Sequence, residues 1–176
     1  SAVAQAAMTS GGAKKPIDDL ESYRRDLSAR LDPTASFLQE VFERITPENK
    51  RVVFTEGEEE VSIRAALAFS NSGYGHPVLL GREVRIKQII ADMGLDGASD
   101  LEIINAKISD HNKDYIGFLY KKLRRRGVLQ RDCQRMVNHD RNVFAACMVA
   151  NGHADALVTG MTRSFQASFE YVTQVI

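Results

Sequence analysis

The chain has 176 residues, of which 44% are hydrophobic and 26% are charged, and its 23 basic and 23 acidic side chains leave a formal net charge of zero. These proportions are typical of a globular domain with a sizeable core. A balanced charge argues against a nucleic-acid platform or a polybasic membrane anchor, because both need a net positive face. No apolar stretch is long enough to span a bilayer, and no secretory signal is recognisable.

Both ends of the chain lack the usual signals of a domain boundary. Residues 1–17 are rich in Ala, Gly and Ser, show little periodicity, and look like the tail of a preceding domain. Residues 174–176 lie inside an apparent helix with no Gly, Asn or Pro to close it. We therefore expect this sequence to be a piece of a longer protein.

Residues 18–50 predict a helical connector. Asp18 is a suitable N-cap for a first helix, which carries an apolar stripe at helical spacing. Asp32 then caps a second helix that has Pro33 in its first turn, and Pro47 ends that helix.

From residue 51 onward, short apolar runs alternate with amphipathic segments. Continuous apolar runs predict strands that are buried on both faces, as in parallel sheets covered by helices. The predicted strands are Arg51–Phe54, Pro77–Leu80, Leu101–Asn105 and Ala156–Val158. The predicted helices are Glu58–Ser70, Glu83–Met93, Lys113–Arg125, Asp132–Ala150 and the segment that starts at Ser164. The sequence thus predicts an α/β fold in residues 51–176, a parallel sheet covered on both faces and preceded by two helices.

Cys133 and Cys147 are the only cysteines of the chain. On one predicted helix, at about 1.5 Å per residue, they would lie more than about 15 Å apart, too far for a disulfide. Two unpaired thiols fit a reducing compartment, so we expect a cytoplasmic protein.

The segment from Ala154 to Ser164 is the best candidate for a ligand site. It places a Gly-containing loop between a strand and a helix, at the edge of a parallel sheet where such folds bind ligands. Free backbone N–H groups at a helix start attract anions, and an arginine adds positive charge. The candidate ligand-binding residues are Thr159, Gly160, Thr162, Arg163 and Ser164. The alternative is an empty turn in which Ser164 caps the following helix.

Two charged segments have simpler explanations. Residues 55–60 (TEGEEE) place three consecutive acids at a helix start, where capping explains them better than a metal site does. Residues 123–127 (LRRRG) end a helix with basic side chains and a glycine, which suits the helix dipole. The functional alternative is a phosphate clamp that includes Arg124. The histidines and cysteines lack metal-ligand spacing, so we expect neither a metal site nor a catalytic set in this chain.

Four segments together resemble the phosphotransacetylase (phosphate acetyl/butyryltransferase) family. They are Arg51–Ala66, His76–Gly81, Arg131–Val143 and Asn151–Arg163. Ala2–Ile17 and Leu31–Ala35 in turn resemble the junction found where this family is fused behind the malic enzyme of many bacteria. The resemblance covers essentially the whole chain, and it depends on the order and spacing of the segments.

The resemblance implies the first of two α/β subdomains around a cleft. It also implies that the residues that transfer acetyl groups between coenzyme A and phosphate lie in a C-terminal half outside this sequence. One basic position of the family falls at Leu123 or, with a shift of one residue, at Arg124. Another falls at Glu170, and an acid there opposes an anionic ligand. Thr159 also replaces the usual serine.

From this resemblance we expect a regulatory and oligomerising domain that senses acetyl-CoA without transferring acetyl groups. Its expected partners are an upstream malic enzyme domain in the same chain, further copies of itself and a coenzyme A thioester, but no nucleic acid or membrane. The parent protein would oxidise and decarboxylate malate to pyruvate with NADP or NAD and with Mg²⁺ or Mn²⁺. An active phosphate acetyltransferase domain and a purely structural interaction module are the alternatives.

Overall fold

The computed structural model describes residues 2–12, 15, 17, 19, 23, 24, 27, 33–95 and 101–176. The chain divides into two compact units, residues 1–47 and residues 48–176.

The first unit contains helix α1 (Ala2–Thr9) and helix α2 (Pro33–Ile45). Helix α1 lies where the sequence predicted no regular structure, and its alanines explain the difference because alanine has the highest helix propensity. The prediction that Pro33 begins a helix is confirmed, and α2 gives way after Ile45 to a 3₁₀ turn that contains Pro47. The helix predicted after Asp18 falls mostly outside the described residues, as does the predicted cap Asp32.

The second unit is built on a parallel four-stranded sheet. Its strands are β1 (Lys50–Phe54), β2 (Gly75–Leu80), β3 (Glu102–Ile104) and β4 (Ala156–Val158). The strand order is β3-β2-β1-β4, and every neighbouring pair is parallel. Val53 on β1 lies opposite Val78 on β2 and Leu157 on β4. All four predicted strands are confirmed.

Six helices of the described residues cover this sheet. They are α3 (Glu60–Asn71), α4 (Glu83–Asp92), α5 (Asn112–Leu123), α6 (Gln130–His139), α7 (Arg141–Ala150) and α8 (Phe165–Val175). A 3₁₀ turn, Arg124–Arg126, follows α5 and ends at Gly127, which has a left-handed φ of 82°. Glycine adopts this conformation without a steric penalty, as the sequence predicted for a helix end.

Alternate residues of each strand pack into two separate cores, one on each face of the sheet. Val53 belongs to the core beneath α5 to α8, whereas the next residue, Phe54, belongs to the core beneath α3 and α4. On β2, Val78 and Leu80 face the first core and Leu79 faces the second. This alternation follows from the two-residue period of a strand. It confirms the predicted sheet with helices on both faces.

The predicted single helix from Asp132 to Ala150 is wrong. Two helices occupy this segment, and they meet at Asp140, which has an extended conformation with φ −111° and ψ 112°. The Asp140 side chain accepts hydrogen bonds from the backbone N–H groups of Asn142 and Val143, so it caps the second helix. The helical periodicity of the apolar residues runs through the break, which explains why the sequence pattern did not show it.

The break also removes the premise of the predicted separation of the two cysteines, which assumed a single helix. Cys133 lies on α6 and Cys147 on α7, and both belong to one hydrophobic core with 0% exposure. They remain free thiols, as predicted. Burial raises the pKa of Cys147 to about 12, and the charge of Cys133 contributes to the same shift. The rise along one straight helix is therefore not a valid estimate of their separation.

Candidate functional site

The carboxyl ends of β1 and β4 form the point where the chain reverses its direction across the sheet. From β1 the chain proceeds outward to β2 and β3, and it then returns to place β4 on the opposite side of β1. Loops at such a reversal diverge and leave a crevice where doubly wound α/β folds bind ligands. The two loops here are residues 55–59, after β1, and residues 159–164, after β4. The second is the segment that the sequence singled out.

Glu56 connects these two loops. One carboxylate oxygen of Glu56 accepts hydrogen bonds from the backbone N–H of Thr162 at 2.7 Å and from its hydroxyl at 2.6 Å. The other oxygen accepts the backbone N–H of Met161 at 2.7 Å. Burial alone would raise the pKa of Glu56, but the hydrogen bonds from Thr162, Met161 and Gly160 outweigh it and hold the pKa below its usual value. The loop amides that were expected to be free for an anion are thus bound to an internal carboxylate.

The close approach of the first loop to the sheet requires a glycine. A Cβ atom at Gly57 would lie 2.9 Å from the backbone N and O of Leu80 and from the Cβ of Leu79. The Gly57 N–H instead donates to the Leu80 carbonyl at 3.1 Å. This contact lays residues 55–59 against the end of β2 and brings Glu56 under the second loop.

Arg163 is also paired within the chain. Its Nη1 donates to Oδ2 of Asp140 at 2.6 Å, and its guanidinium carbon lies 5.7 Å from the centre of the Tyr171 ring. The hydrogen bond to Asp140 raises the pKa of Arg163 above its usual value. Asp140 therefore serves two purposes, because it caps α7 and neutralises the arginine that was predicted to attract a ligand.

The hydroxyls of the second loop have separate partners. Thr159 donates to the side-chain oxygen of Asn142 at 2.7 Å. Asn142 is only 4% exposed, and its side-chain nitrogen is buried without a hydrogen-bond partner among the described residues. Ser164 accepts the Ala167 N–H at 3.4 Å and caps α8, as the empty-turn interpretation expected. Gly160 has a φ of 108°, a value that favours glycine.

The contacts of Arg124 are separate from those of the other predicted site residues. It is exposed in the 3₁₀ turn after α5, and the Gly127 N–H donates to its carbonyl at 3.2 Å. Within the described part of the chain, no hydrogen bond or ion pair joins Arg124 to residues 159–164. The structure therefore brings Thr159 to Ser164 together and does not connect Arg124 with them.

The acidic segment after β1 has a role different from the predicted helix capping. Glu59 occupies the N-cap position of α3 without a side-chain capping bond. Glu56 holds the second loop, and Glu58 is buried against three arginines from other parts of the chain. Of the residues that the structure describes, no group of three or more His, Cys, Asp or Glu is arranged to hold a metal. None of the described helices is long and apolar enough to cross a membrane.

Sequence reasoning missed Glu56 and Asp140. Asp140 could have been found from the local sequence, because aspartate is a preferred N-cap and can start a new helix inside an apparently continuous one. Glu56 carried none, because its partners lie more than 100 residues away in the sequence.

The fold and this edge of the sheet define an α/β domain of the phosphotransacetylase type. The EutD phosphotransacetylase from Staphylococcus aureus superposes with a TM-score of 0.73 at 26% identity, over 81% of this chain and 42% of that chain. Residues 36–176 match the family model for phosphate acetyl/butaryl transferase, and the chain belongs to this family.

Relatives of similar sequence along the whole chain are malic enzymes. The chain is 47% identical over 176 residues to the NADP-dependent malic enzyme of Rhizobium meliloti (strain 1021). It is 44% identical over 180 residues to the probable NADP-dependent malic enzyme of Rickettsia prowazekii (strain Madrid E). Each match covers 99% of this chain and 23% of the relative. In these relatives the matched region is therefore one domain of a longer, multidomain chain.

Proposed function

We propose that the chain is a regulatory and subunit-contacting domain of an NADP-dependent malic enzyme, one that binds acetyl-CoA without transferring acetyl groups. Similarity to malic enzymes along 99% of the chain supports this assignment. The parent protein would oxidatively decarboxylate malate to pyruvate with NADP or NAD and Mg²⁺ or Mn²⁺. The residues for that chemistry are expected in the part of the parent outside this chain.

The observation that favours this proposal over an acetyltransferase is that internal carboxylates neutralise the β4–α8 loop. Asp140 holds Arg163, and Glu56 occupies the amides of Met161 and Thr162. Glu170, an exposed residue of α8, adds an acid at a position where the resemblance predicts a cation. A site that holds phosphate for chemistry needs free positive charge, because an anion gains little from groups that are already paired. This arrangement disfavours acetyl transfer.

The same arrangement offers a way for a ligand to act on the fold. A phosphate of acetyl-CoA that binds Arg163 competes with Asp140 for the guanidinium. Asp140 also caps α7, at the junction between α6 and α7. Binding would therefore change contacts at a helix junction, which supplies the difference between two states that regulation requires.

A structural interaction module is the second candidate. The closure of the loop favours it as well, because a loop whose donors are satisfied internally needs no ligand. An active phosphate acetyltransferase is the third candidate, and the likeness to solved phosphotransacetylases favours it.

The test compares melting temperatures with and without acetyl-CoA, both for this chain and for the longer protein that contains it. A ligand that binds only the folded state at ~100 times its Kd adds about 2.7 kcal/mol of stability. We expect a shift in the longer protein, a smaller shift in Arg163→Gln, and no formation of acetyl phosphate from acetyl-CoA and phosphate. Arg64→Gln is the matched control, because within the described residues Arg64 pairs with Glu60 alone, on the surface of α3.

Each candidate predicts a different result. Acetyl-CoA that shifts melting and changes the rate of malate oxidation supports the regulatory domain. No shift in either protein supports the structural module, and turnover to acetyl phosphate supports the transferase. Arg124→Gln, compared in the same assay, tests whether that arginine contacts the ligand.

A further inference from the structure

A second polar cavity lies at the carboxyl edge of the sheet, formed by residues that follow β1, β2 and β3. It has a volume of about 280 Å³. The charged and polar side chains that line it include Glu58, Arg82, Lys107, Asn138, His139 and Arg141. This volume is near the lower end of the range for small-molecule sites, so the cavity suits a small ion better than a whole nucleotide.

A buried carboxylate organises the arginines around this cavity. The Glu58 side chain is 7% exposed, and its oxygens accept from the Arg82 backbone N–H at 2.9 Å and from Arg82 Nε and Nη2 at 3.1 and 3.0 Å. Arg85 Nε and Arg141 Nη2 each lie 3.3 Å from the same carboxylate. A Cβ at Gly81 would lie 2.8 Å from Cγ of Glu58, so glycine at this position lets the carboxylate approach.

The cavity carries an excess of positive charge. Among the described residues that line it, Glu58 is one carboxylate against the guanidinium groups of Arg82 and Arg141 and the ammonium group of Lys107. Within the described residues no carboxylate pairs with Lys107, and Asp140, beside Arg141 in the chain, is bound to Arg163. Each guanidinium has five donors, and Glu58 engages only some of them. The remaining forks match the geometry of a phosphate group.

Asn138 also lines the cavity, but its side-chain oxygen is sealed from solvent and has no hydrogen-bond partner among the described residues. A group inside the cavity therefore does not reach this oxygen, and recognition of an anion depends on the positive side chains.

We propose that this cavity binds a phosphate group, as free phosphate or as the end of a small phosphate monoester, through Arg82, Arg141 and Lys107. Glu58 positions the arginines and does not contact the ligand. The site is separate from the loop after β4, and it binds an effector anion rather than a reacting group.

The experiment titrates the full chain with inorganic phosphate at pH 7 and constant ionic strength, and it follows both melting temperature and heat of binding. Glycerol phosphate is the monoester probe. We expect phosphate to bind, and Lys107→Gln to weaken the phosphate Kd by about tenfold. Arg141→Lys, which keeps the charge and loses the fork, should weaken it by a similar factor. Lys87→Gln, which removes an exposed lysine paired with Glu83 on α4, is the matched control and should leave the Kd unchanged.

Loss of affinity in Lys107→Gln and Arg141→Lys with an unchanged Lys87→Gln supports the site. Tighter binding of glycerol phosphate than of phosphate would identify a monoester as the ligand, and the reverse order would identify free phosphate. An absent response to phosphate in the wild-type chain, or an equal response in all three variants, overturns the proposal.

Discussion

Glu56 and Thr162 are 106 residues apart along the chain, yet one carboxylate oxygen of Glu56 accepts both the backbone N–H and the hydroxyl of Thr162, at 2.7 and 2.6 Å. Glu56 is only 6% exposed. Hydrogen bonds to a buried charge are stronger than neutral ones, and they leave a costly unpaired group when one partner is removed. The pair therefore fixes the loop after β4 against the end of β1.

Replacement of Glu56 by Gln tests this connection. The variant keeps the shape of the side chain, but its NH₂ group faces a backbone donor where a carboxylate oxygen accepted a bond. We expect the free energy of unfolding to fall by about 2 kcal/mol, as for the loss of a charged hydrogen bond. Urea unfolding at pH 7 measures the change. Glu60→Gln, which affects only a surface pair with Arg64, is the control and should change stability by less than about 0.5 kcal/mol. Equal unfolding midpoints for the two variants would contradict the structure.

The second prediction concerns the pH dependence of stability. Hydrogen bonds from Arg82, followed by the charge of Arg141, outweigh burial and lower the pKa of Glu58 from 4.5 to about 2. A carboxyl whose pKa is lowered on folding stabilises the protein above its unfolded pKa. That stability is lost as the pH falls from about 4.5 towards 2. Solvent around the half-exposed arginines weakens the effect, so we expect about 2 kcal/mol rather than the full value of the shift.

Urea unfolding of wild type and Glu58→Gln at pH 6 and pH 3 measures this contribution. Wild type should lose about 1 kcal/mol more than the variant between the two pH values, because the variant has no carboxyl to protonate at this position and part of the titration of Glu58 lies below pH 3. A parallel loss of stability in both proteins would show that Glu58 titrates normally.

The strands and most of the helices of the second unit could be predicted from the sequence, because their apolar runs and periodicity arise from burial on both faces of the sheet. Val53 and Phe54 illustrate this, since neighbours in one strand enter opposite cores. The break at Asp140 could not be predicted in this way, because apolar residues on both of its sides keep the helical spacing. A cap inside a periodic segment depends on one side-chain hydrogen bond rather than on a pattern.

The sequence predicted the strand-to-helix loop after β4, but it did not predict the ion pair and hydrogen bonds within that loop. Arg163 was expected to be free, and its partner Asp140 lies 23 residues earlier in the chain. Local sequence shows which charges exist but not which long-range pairs neutralise them. The same limit applies to Glu58, because its partner Arg141 is the first residue of α7 and lies far from Glu58 in the sequence.

The third prediction separates the two roles of Asp140. Asparagine is as good an N-cap as aspartate, so Asp140→Asn keeps the cap of α7 and removes the charge that faces Arg163. We expect it to lower stability by less than about 1 kcal/mol, because the Arg163 side chain is 43% exposed, whereas Asp140→Ala should lower it by about 2 kcal/mol. In a double-mutant cycle with Arg163→Gln, measured by urea unfolding, Asp140→Asn should show a coupling of several tenths of a kcal/mol. Additive effects would mean that the ion pair contributes nothing measurable.

The fourth prediction concerns the buried thiols. Burial raises the pKa of Cys147 to about 12 and also raises that of Cys133, so neither side chain forms the reactive thiolate near neutral pH. Both cysteines should resist a disulfide-exchange reagent at pH 8 in the folded protein and react fully in denaturant. Because the two thiols share one core, they should become reactive together, at the rate at which that core opens. Cys133→Ser, which leaves Cys147 alone, should halve the number of reacting groups and preserve this behaviour. Complete labelling of Cys147 within minutes in native buffer would contradict its placement in the core beneath α5 to α8.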